Sequence, residues 1–591
     1  MSDFLPPLDK FMRKNLKRNA ARSVWNIWEE HVEKHPHREA IVHWDALGEP
    51  FRWTYGSLLE AALRIAGILI RRNVMAGEVC AVIIRHNKYF YPIYMAITAI
   101  GAIPAVLAYP NARLHPDKFV HGLSGMARKS GLDWIITERE IGPIIEPLIN
   151  AGKGKIKGVL FPLESIDSEK AAVKSDLDLI KRSRSEIDLD APFLLQHSSG
   201  TTGLQKAVVL SHKAVLGHIK RYSRAIELSE NDKVINWLPL YHDMGLIAAF
   251  HMPLIFGIPS IQIDPFQWVS APGIFFQSIS QEKATLTWLP NFAYDFMADR
   301  IPEEQMDKID LSSMRMFINC SEVVRSESHK KFLRKFCNHG VKEQALASCY
   351  AMAETTFAVT QTEPGFLAKT LMVDRGALEE KIVQPPKKGW LKKVCVSSGK
   401  PISGCSLKII DEGKIRLKSD QVGTVVIKSA SLFDGYRNNP EKTKEALKNG
   451  WYFSGDIGFC HNGEYFIIGR KDDVIIVAGR NIFPEDIEDE VNKILGVIPG
   501  RVVAFGMENA ETGTEDIHVI AETLLEDKDK KEGLKIAIKQ VGMAIDVTIS
   551  TVHLVQPRWL IKSSSGKLSR KANKERIFLP CRKIKGSDHG L

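Results

Sequence analysis

Five short segments carry side chains whose types and spacing can do chemistry. The richest is Gln196-His-Ser198-Ser199-Gly200-Thr201-Thr202-Gly203-Leu-Gln205-Lys206. Two glycines permit tight turns in which successive backbone N–H groups point at one anion. Four hydroxyls and a lysine add donors and positive charge, which is the inventory needed to hold a triphosphate. The pattern is not the GxxxxGK[ST] loop of P-loop NTPases, because the spacing differs and a strand rather than a helix follows. A plain polar hairpin has the same letters. The apolar runs at 193–195 and 207–210 and the density of hydroxyls weigh towards phosphate.

The second segment is Ser348-Cys-Tyr350-Ala-Met-Ala-Glu354-Thr-Thr356. Small residues leave the Tyr350 ring open to a flat partner, and Glu354 offers a hard oxygen for Mg²⁺. A helix N-terminus reads the same way. In Trp451-Tyr-Phe-Ser454-Gly455-Asp456-Ile-Gly458 a lone carboxylate sits on a glycine-flanked turn, suited to a ribose diol or to an Asx-turn. Residues 469–481 place charges between two β units, as an exposed hinge does. Lys562-Ser-Ser-Ser-Gly566-Lys567-Leu-Ser-Arg570, taken alone, reads as an exposed polar tail.

These segments need a scaffold, and the chain is long enough to supply one. Its 591 residues suggest about four domain-sized units. A 44% hydrophobic and 25% charged composition argues against disorder, collagen-like repeats and a polytopic membrane protein. The 8 cysteines have no metal-type or CxxC spacing and fit a reducing compartment. The net charge of +10 is spread out, with its densest clusters at 14–18 and 567–576. No nucleic-acid-binding signature accompanies them, so a solvated basic face is the plainer reading. Residues 89–112 and 244–263 are long and uncharged, but Gly and Pro cut both into a buried helix followed by a buried strand. The first residues lack a signal-peptide pattern, which points to the cytoplasm.

Strand and helix patterns alternate from 58 to 137 and resume at 193, 207–210, 234–238, 286 and 316–318, with a charged surface helix across 173–190. This is an α/β fold of parallel layers. From 423 onward short β runs separated by Gly and Asn turns predict a barrel-like subdomain. After 469–470 a compact α+β unit follows, with a helix at 484–495, strands at 502–505 and 517–521, and a helix near Leu534.

In order and together, the five segments resemble the adenylate-forming superfamily, which includes acyl-CoA synthetases, luciferases and nonribosomal adenylation domains. The resemblance covers nearly the whole chain. It implies that Ser198, Ser199, Gly200, Thr201, Thr202, Gly203 and Lys206 wrap the ATP phosphates and that Tyr350 stacks on adenine beside Ser321. Asp456 and Arg470 hold the ribose, and Glu354 with Thr201 holds Mg²⁺. Asp472 is the hinge, and Lys567 is a catalytic lysine delivered by a mobile C-terminal domain. The implied division is 1–469, with a β-rich part at 400–469, then a 470–473 hinge and a 474–591 lid. Gln205 departs from the proline usual in the family.

Narrower features resemble the fatty acyl-AMP ligase branch. They are Leu238-Pro-Leu-Tyr-His242-Asp243-Met-Gly245, Pro290-Asn291-Phe292-Ala-Tyr-Asp295 and Gly479-Arg-Asn-Ile-Phe-Pro484. The 45 residues from Glu354 to Gly399 contain an excess at 365–396, like the insertion of that branch. Phe366, Leu371, Met372, Val373 and Trp390 are expected to pin it to the body. Asn319-Cys-Ser321-Glu322-Val323 departs from the small-residue-Glu-Pro form of the branch. The implied substrates are a fatty acid and ATP, with Trp237, His242, Trp288, Asn291 and Phe292 along the acyl chain, although aromatic residues there equally suit plain core. The implied acceptor is an acyl carrier protein or a carrier domain of a polyketide or nonribosomal synthetase. The rivals are an acyl-CoA ligase and a noncatalytic lipid- or nucleotide-sensing module, and the intact Lys567, Glu354 and Asp456 count against the latter.

Overall fold

The computed structural model describes residues 23–46, 48–110, 116–150, 156–165, 174–185, 187–198, 206–509, 513–562 and 567–578. The expectations placed on Ser199, Gly200, Thr201, Thr202, Gly203 and Gln205, and on the basic cluster at 14–18, lie outside the described residues. The chain divides into two compact units, one reaching Ile468 and one beginning at Gly469.

The first unit is built on two large sheets. In the nine-stranded sheet, parallel strands run in the order Leu346–Ala351, Met316–Asn319, Leu286–Leu289, Val234–Asn236, Ser260–Ile263 and Glu39–Trp44. The seven-stranded sheet runs from Gly435–Tyr436 through Lys206–Ser211, Pro192–Ser198, Ile103–Val106, Val79–Ile83 and Trp134–Thr137 to Gly158–Leu160. Every residue of Val79–Ile83 is buried, because layers on both faces leave no polar position. That is why the strand reads as an unbroken apolar run. The helix Tyr55–Arg71 begins at a reciprocal cap. Thr54 Oγ1 accepts from the Ser57 N–H at 3.1 Å, and Ser57 Oγ accepts from the Thr54 N–H at 3.0 Å. Its buried Leu58, Ala62, Ile65 and Leu69 recur at helical spacing and face the core.

Residues 244–263 do form helix then strand, but the first turns, Met244–His251, are a π-helix. Pro253 lies just beyond it, in the following helix Met252–Phe256. The Ala249 carbonyl would accept from residue 253 in an α-helix, and Pro253 has no N–H. Ser260 Oγ at 2.6 Å and Gln262 Nε2 at 2.9 Å donate to that carbonyl instead. No described helix is long and apolar enough to cross a membrane.

The β-rich part is an antiparallel five-stranded sheet of Cys405–Ile410, Gly423–Ser429, Trp451–His461, Leu447–Lys448 and Glu464–Arg470. No described pairing closes it into a ring. The 365–396 insertion is an antiparallel ribbon of Thr370–Asp374 and Lys392–Val396. A short helix, Arg375–Glu379, follows its first strand, and Asp374 Oδ1 caps it by accepting from the Ala377 N–H at 2.8 Å. The expected anchors divide. Val373 is buried and Leu371 half-buried, while Phe366, Met372 and Trp390 are exposed. Period-two alternation in a ribbon covered on one face turns Met372 outward when Val373 turns in. The second unit packs Pro484–Val491 and Lys528–Ala544 on the sheet of Val502–Asn509, Thr514–Glu522 and Ile549–Val555.

Candidate active site

Ser198 and Lys206 are opposite partners at the loop end of the hairpin Pro192–Ser198/Lys206–Ser211, so backbone pairing joins the two ends of the hydroxyl-rich segment. The Lys206 ammonium lies 4.9 Å from the centre of the Tyr436 ring. Tyr436 pairs with the same hairpin through Val208, and its hydroxyl donates to Glu354 Oε1 at 2.8 Å. One tyrosine therefore ties the base of the loop to Glu354. The Phe433 N–H donates to the Glu354 carbonyl at 2.9 Å, which fixes the backbone as well.

Glu354 sits on a 3₁₀ turn, Ala353–Thr355, that follows the strand Leu346–Ala351, so the helix N-terminus alternative is set aside. Thr356 ends the turn at φ 70° and ψ −46°, a region a β-branched residue seldom enters. Its hydroxyl is anchored on the Ser431 carbonyl at 2.9 Å. Ser321, at φ 83°, is also left-handed. Its hydroxyl points at Met244 Sδ, 3.4 Å away. Asn319 and Ser348 are register partners in parallel strands, so Ser321 and Tyr350 emerge at the carboxyl edge of one sheet, where α/β folds bind ligands.

Tyr350 donates its hydroxyl to Asp456 Oδ2. Asp456 belongs to a strand, Trp451–His461, and not to the free turn expected from its glycines. A bulge there opposes Thr424 to Ile457 and Val426 to Phe453, which leaves 454–456 to bow out around Gly455 at φ 76°. Ser454 Oγ holds the bow by donating to the Val425 carbonyl at 2.9 Å and accepting from the Asp456 N–H at 3.1 Å. Burial, and then the Glu354 charge, push the Tyr452 phenol well up. Tyr436 carries no motif that marks it in the sequence, and Tyr452 stands inside the Asp456 segment with no role of its own there; both complete this cluster.

Among the described residues no group of three or more His, Cys, Asp or Glu gathers as a metal cage. Mg²⁺ commonly takes one or two carboxylates and fills its shell with phosphate oxygens and water. Glu354, with one oxygen engaged by Tyr436, fits that mode.

The aromatics expected along the acyl chain fall into separate clusters. Trp237 stacks on Trp268 at 3.5 Å, with Phe292 edge-on to Trp237. The His242 ring meets Tyr241 edge-on at 4.7 Å. Trp288 is buried elsewhere and donates to the Tyr222 hydroxyl at 2.7 Å. The Asn291 amide is engaged on both atoms, donating to the Val323 carbonyl at 2.6 Å and accepting from Asn319 Nδ2 and the Arg325 N–H.

In the second unit Arg470 and Asp472 are exposed, and Asp472 lies in the short turn Lys471–Asp473. Lys567 is half-buried. Its loop is pinched by a bridge between Lys562 and Leu568 and by the Ser569 N–H donating to the Ile561 carbonyl at 3.1 Å. Arg570 follows at once. It meets Asp473 at 2.8 Å, Glu485 at 2.9 Å and Glu488 at 2.7 Å. Nearby carboxylates, Glu488 first, raise its already high pKa against the opposing effect of burial. The tail reading of this segment gives way to an anchored loop.

A two-sheet α/β unit with a tyrosine–carboxylate cluster at the carboxyl edge of one sheet has the architecture in which α/β enzymes bind their ligands. Residues 28–437 match the AMP-binding enzyme family, and the chain belongs to it. The medium-chain-fatty-acid–[acyl-carrier-protein] ligase JamA of Moorena producens is 32% identical, across 66% of this chain and 69% of its own length. A putative acyl-CoA synthetase of Caulobacter vibrioides is 29% identical, across 87% and 88%. A solved fatty acyl-adenylate ligase of L. pneumophila, in complex with acyl adenylate and pyrophosphate, superposes with a TM-score of 0.71 at 26% identity, covering 97% of this chain and 98% of that one.

Proposed function

We propose that this chain activates a fatty acid with ATP and passes the acyl group to the phosphopantetheine thiol of a carrier protein. A carboxylate oxygen attacks the α-phosphorus, the bond to the bridging oxygen breaks, and acyl-AMP and pyrophosphate result. Charge builds on phosphoryl oxygens, so positioned donors and cations supply the catalysis and no protein nucleophile is needed. The 198–206 loop holds the phosphates, Tyr350 with Ser321 holds adenine, and Asp456 with Arg470 holds the ribose. Lys567 supplies its ammonium to the reacting carboxylate and α-phosphate after movement at Asp472. Glu354 with Thr201 would hold Mg²⁺, which would supply positive charge to the phosphates. Trp237, His242 and Phe292 are the residues proposed to line the acyl chain, together with Trp288 and Asn291. ATP and carrier thiols place this chemistry in the cytoplasm.

The observation that carries the reading is the convergence of Lys206, Glu354, Tyr350 and Asp456, from separate elements, on one tyrosine-lined cluster in a chain of the AMP-binding family. JamA, named for medium-chain fatty acids and an acyl carrier protein, supports the substrate and acceptor. The Caulobacter relative favours a second reading with CoA as acceptor. Fatty-acid-dependent exchange of labelled pyrophosphate into ATP tests the first half, and its absence refutes both readings. Product analysis with a carrier protein bearing phosphopantetheine, or with free CoA, tests the second half. Little acyl-CoA is expected, and efficient acyl-CoA synthesis selects the CoA ligase.

A further inference from the structure

The insertion ribbon is covered on the face of Val373 and Cys395, while its other face is covered only at the base, at Val396, and is exposed towards the tip. Val373, Cys395 and Val396 are covered, and Val396 closes a small apolar cluster with Val324 and Ala368. Outward stand Met372 and Val394, which are cross-strand partners, and at the tip Trp390 and Leu391, all at least 40% exposed. Apolar groups gathered in water mark a surface that something covers. The tip holds its shape through backbone bonds. The Arg375 N–H donates to the Leu391 carbonyl at 2.9 Å, the Asp374 N–H to the Gln384 carbonyl at 2.8 Å and the Val383 N–H to the Asp420 carbonyl at 2.9 Å.

Charge decides what kind of surface it is. From Lys381 to Val394 the chain has no acid and five lysines, of which Lys381 meets Glu412 at 3.5 Å and Lys393 is half-buried on the Val373 face. Lys387, Lys388 and Lys392 are exposed, and the Lys387 ammonium sits 4.7 Å over the Trp390 ring. Protein–protein interfaces deplete lysine in favour of arginine. A bilayer bearing anionic headgroups takes lysine ammoniums at its phosphates while the lysine stems and a Trp-Leu pair enter the acyl boundary.

We propose that the tip of the insertion, residues 381–394, docks the protein on an anionic lipid surface. The proposal does not rest on the adenylation reading, since its test uses no turnover. The full chain is floated with vesicles of phosphatidylcholine, and with vesicles of phosphatidylcholine mixed with phosphatidylglycerol. Binding is expected to the mixed vesicles alone and to weaken with salt. Trp390→Ser with Leu391→Ser should abolish it. Exchanging Lys387, Lys388 and Lys392 for Gln should weaken it about fivefold per lysine. An unchanged melting midpoint in both variants shows that the fold survives. Three results overturn the proposal: no flotation with the mixed vesicles, flotation that both variants retain, or variants that instead lose only capture of a purified acidic carrier protein or only a concentration-dependent dimer.

Discussion

Two carboxylate clusters, one in each unit, are organised in opposite ways. In the first, Glu354 and Asp456 each meet a phenol, Tyr436 and Tyr350 respectively. In the second, one guanidinium gathers Asp473, Glu485 and Glu488. A phenol satisfies one lone pair and leaves the negative charge in place for a cation or a hydroxyl to use. A guanidinium cancels charge and spends its forked donors on the acids around it. The first arrangement suits ligand binding and the second suits a joint. An acidic cluster is thus read by what neutralises it, and the joint here fastens the Lys471–Asp473 turn to the start of the helix Arg570–Phe578 just beyond Lys567.

Acid should separate the two units most. Burial depresses His43, His197, His212 and His329 of the first unit to about 4. An unfolded histidine titrates near 6.5, so the unfolded chain binds more protons between about pH 4 and 6.5. The stability from each histidine, roughly 3 kcal/mol, is complete above 6.5 and lost as pH falls towards 4. Thermal melting across that window should show the first unit failing, and a flat profile would contradict the buried neutral rings.

Lys567→Ala should slow acyl-AMP formation by orders of magnitude, about 3–4 kcal/mol, with melting unchanged. Near-normal adenylation would remove Lys567 from the chemistry and leave Arg570 with no catalytic loop to hold. Arg570→Met leaves three acids without their cation and should destabilise the second unit by about 3 kcal/mol. Arg570→Lys should not restore it, because an ammonium lacks the fork that meets both Glu488 oxygens. Full stability in either variant breaks the joint reading. Tyr436→Phe should have the smallest effect, weakening Mg²⁺-dependent activity by about 1.5–3 kcal/mol through one hydrogen bond to a charged group. A melting shift with unaltered activity would make that phenol structural.

The α/β layering was legible because parallel strands covered on both faces, such as Val79–Ile83, leave unbroken apolar runs. The motif residues of the first unit were legible for a different reason: Lys206, Tyr350, Glu354 and Asp456 stand in short glycine-, hydroxyl- or small-residue-rich segments that plain core seldom has. Their partners were not legible. Tyr436 lies 82 residues from Glu354, and Asp473 lies 97 from Arg570, so only the folded chain joins them. The π-turns at Met244–His251 escape any periodicity because every residue of that run is buried and no face stands out. The insertion anchors divide, Val373 inward and Met372 outward, because composition does not say which face of a ribbon is covered.

Thr356, folded back on itself at the end of the Glu354 turn, has a consequence for anyone breeding a hardier enzyme. A β-branched residue at φ 70° and ψ −46° holds on the order of 1–3 kcal/mol of strain. A library sorted by heat survival alone will enrich glycine there, because glycine enters that region without the clash of a side chain. The survivors will melt later and hold Glu354 less firmly, since the grip on the Ser431 carbonyl goes with the side chain. Sorting must therefore score turnover in the same round as heat, or it will select the enzyme out of its own population.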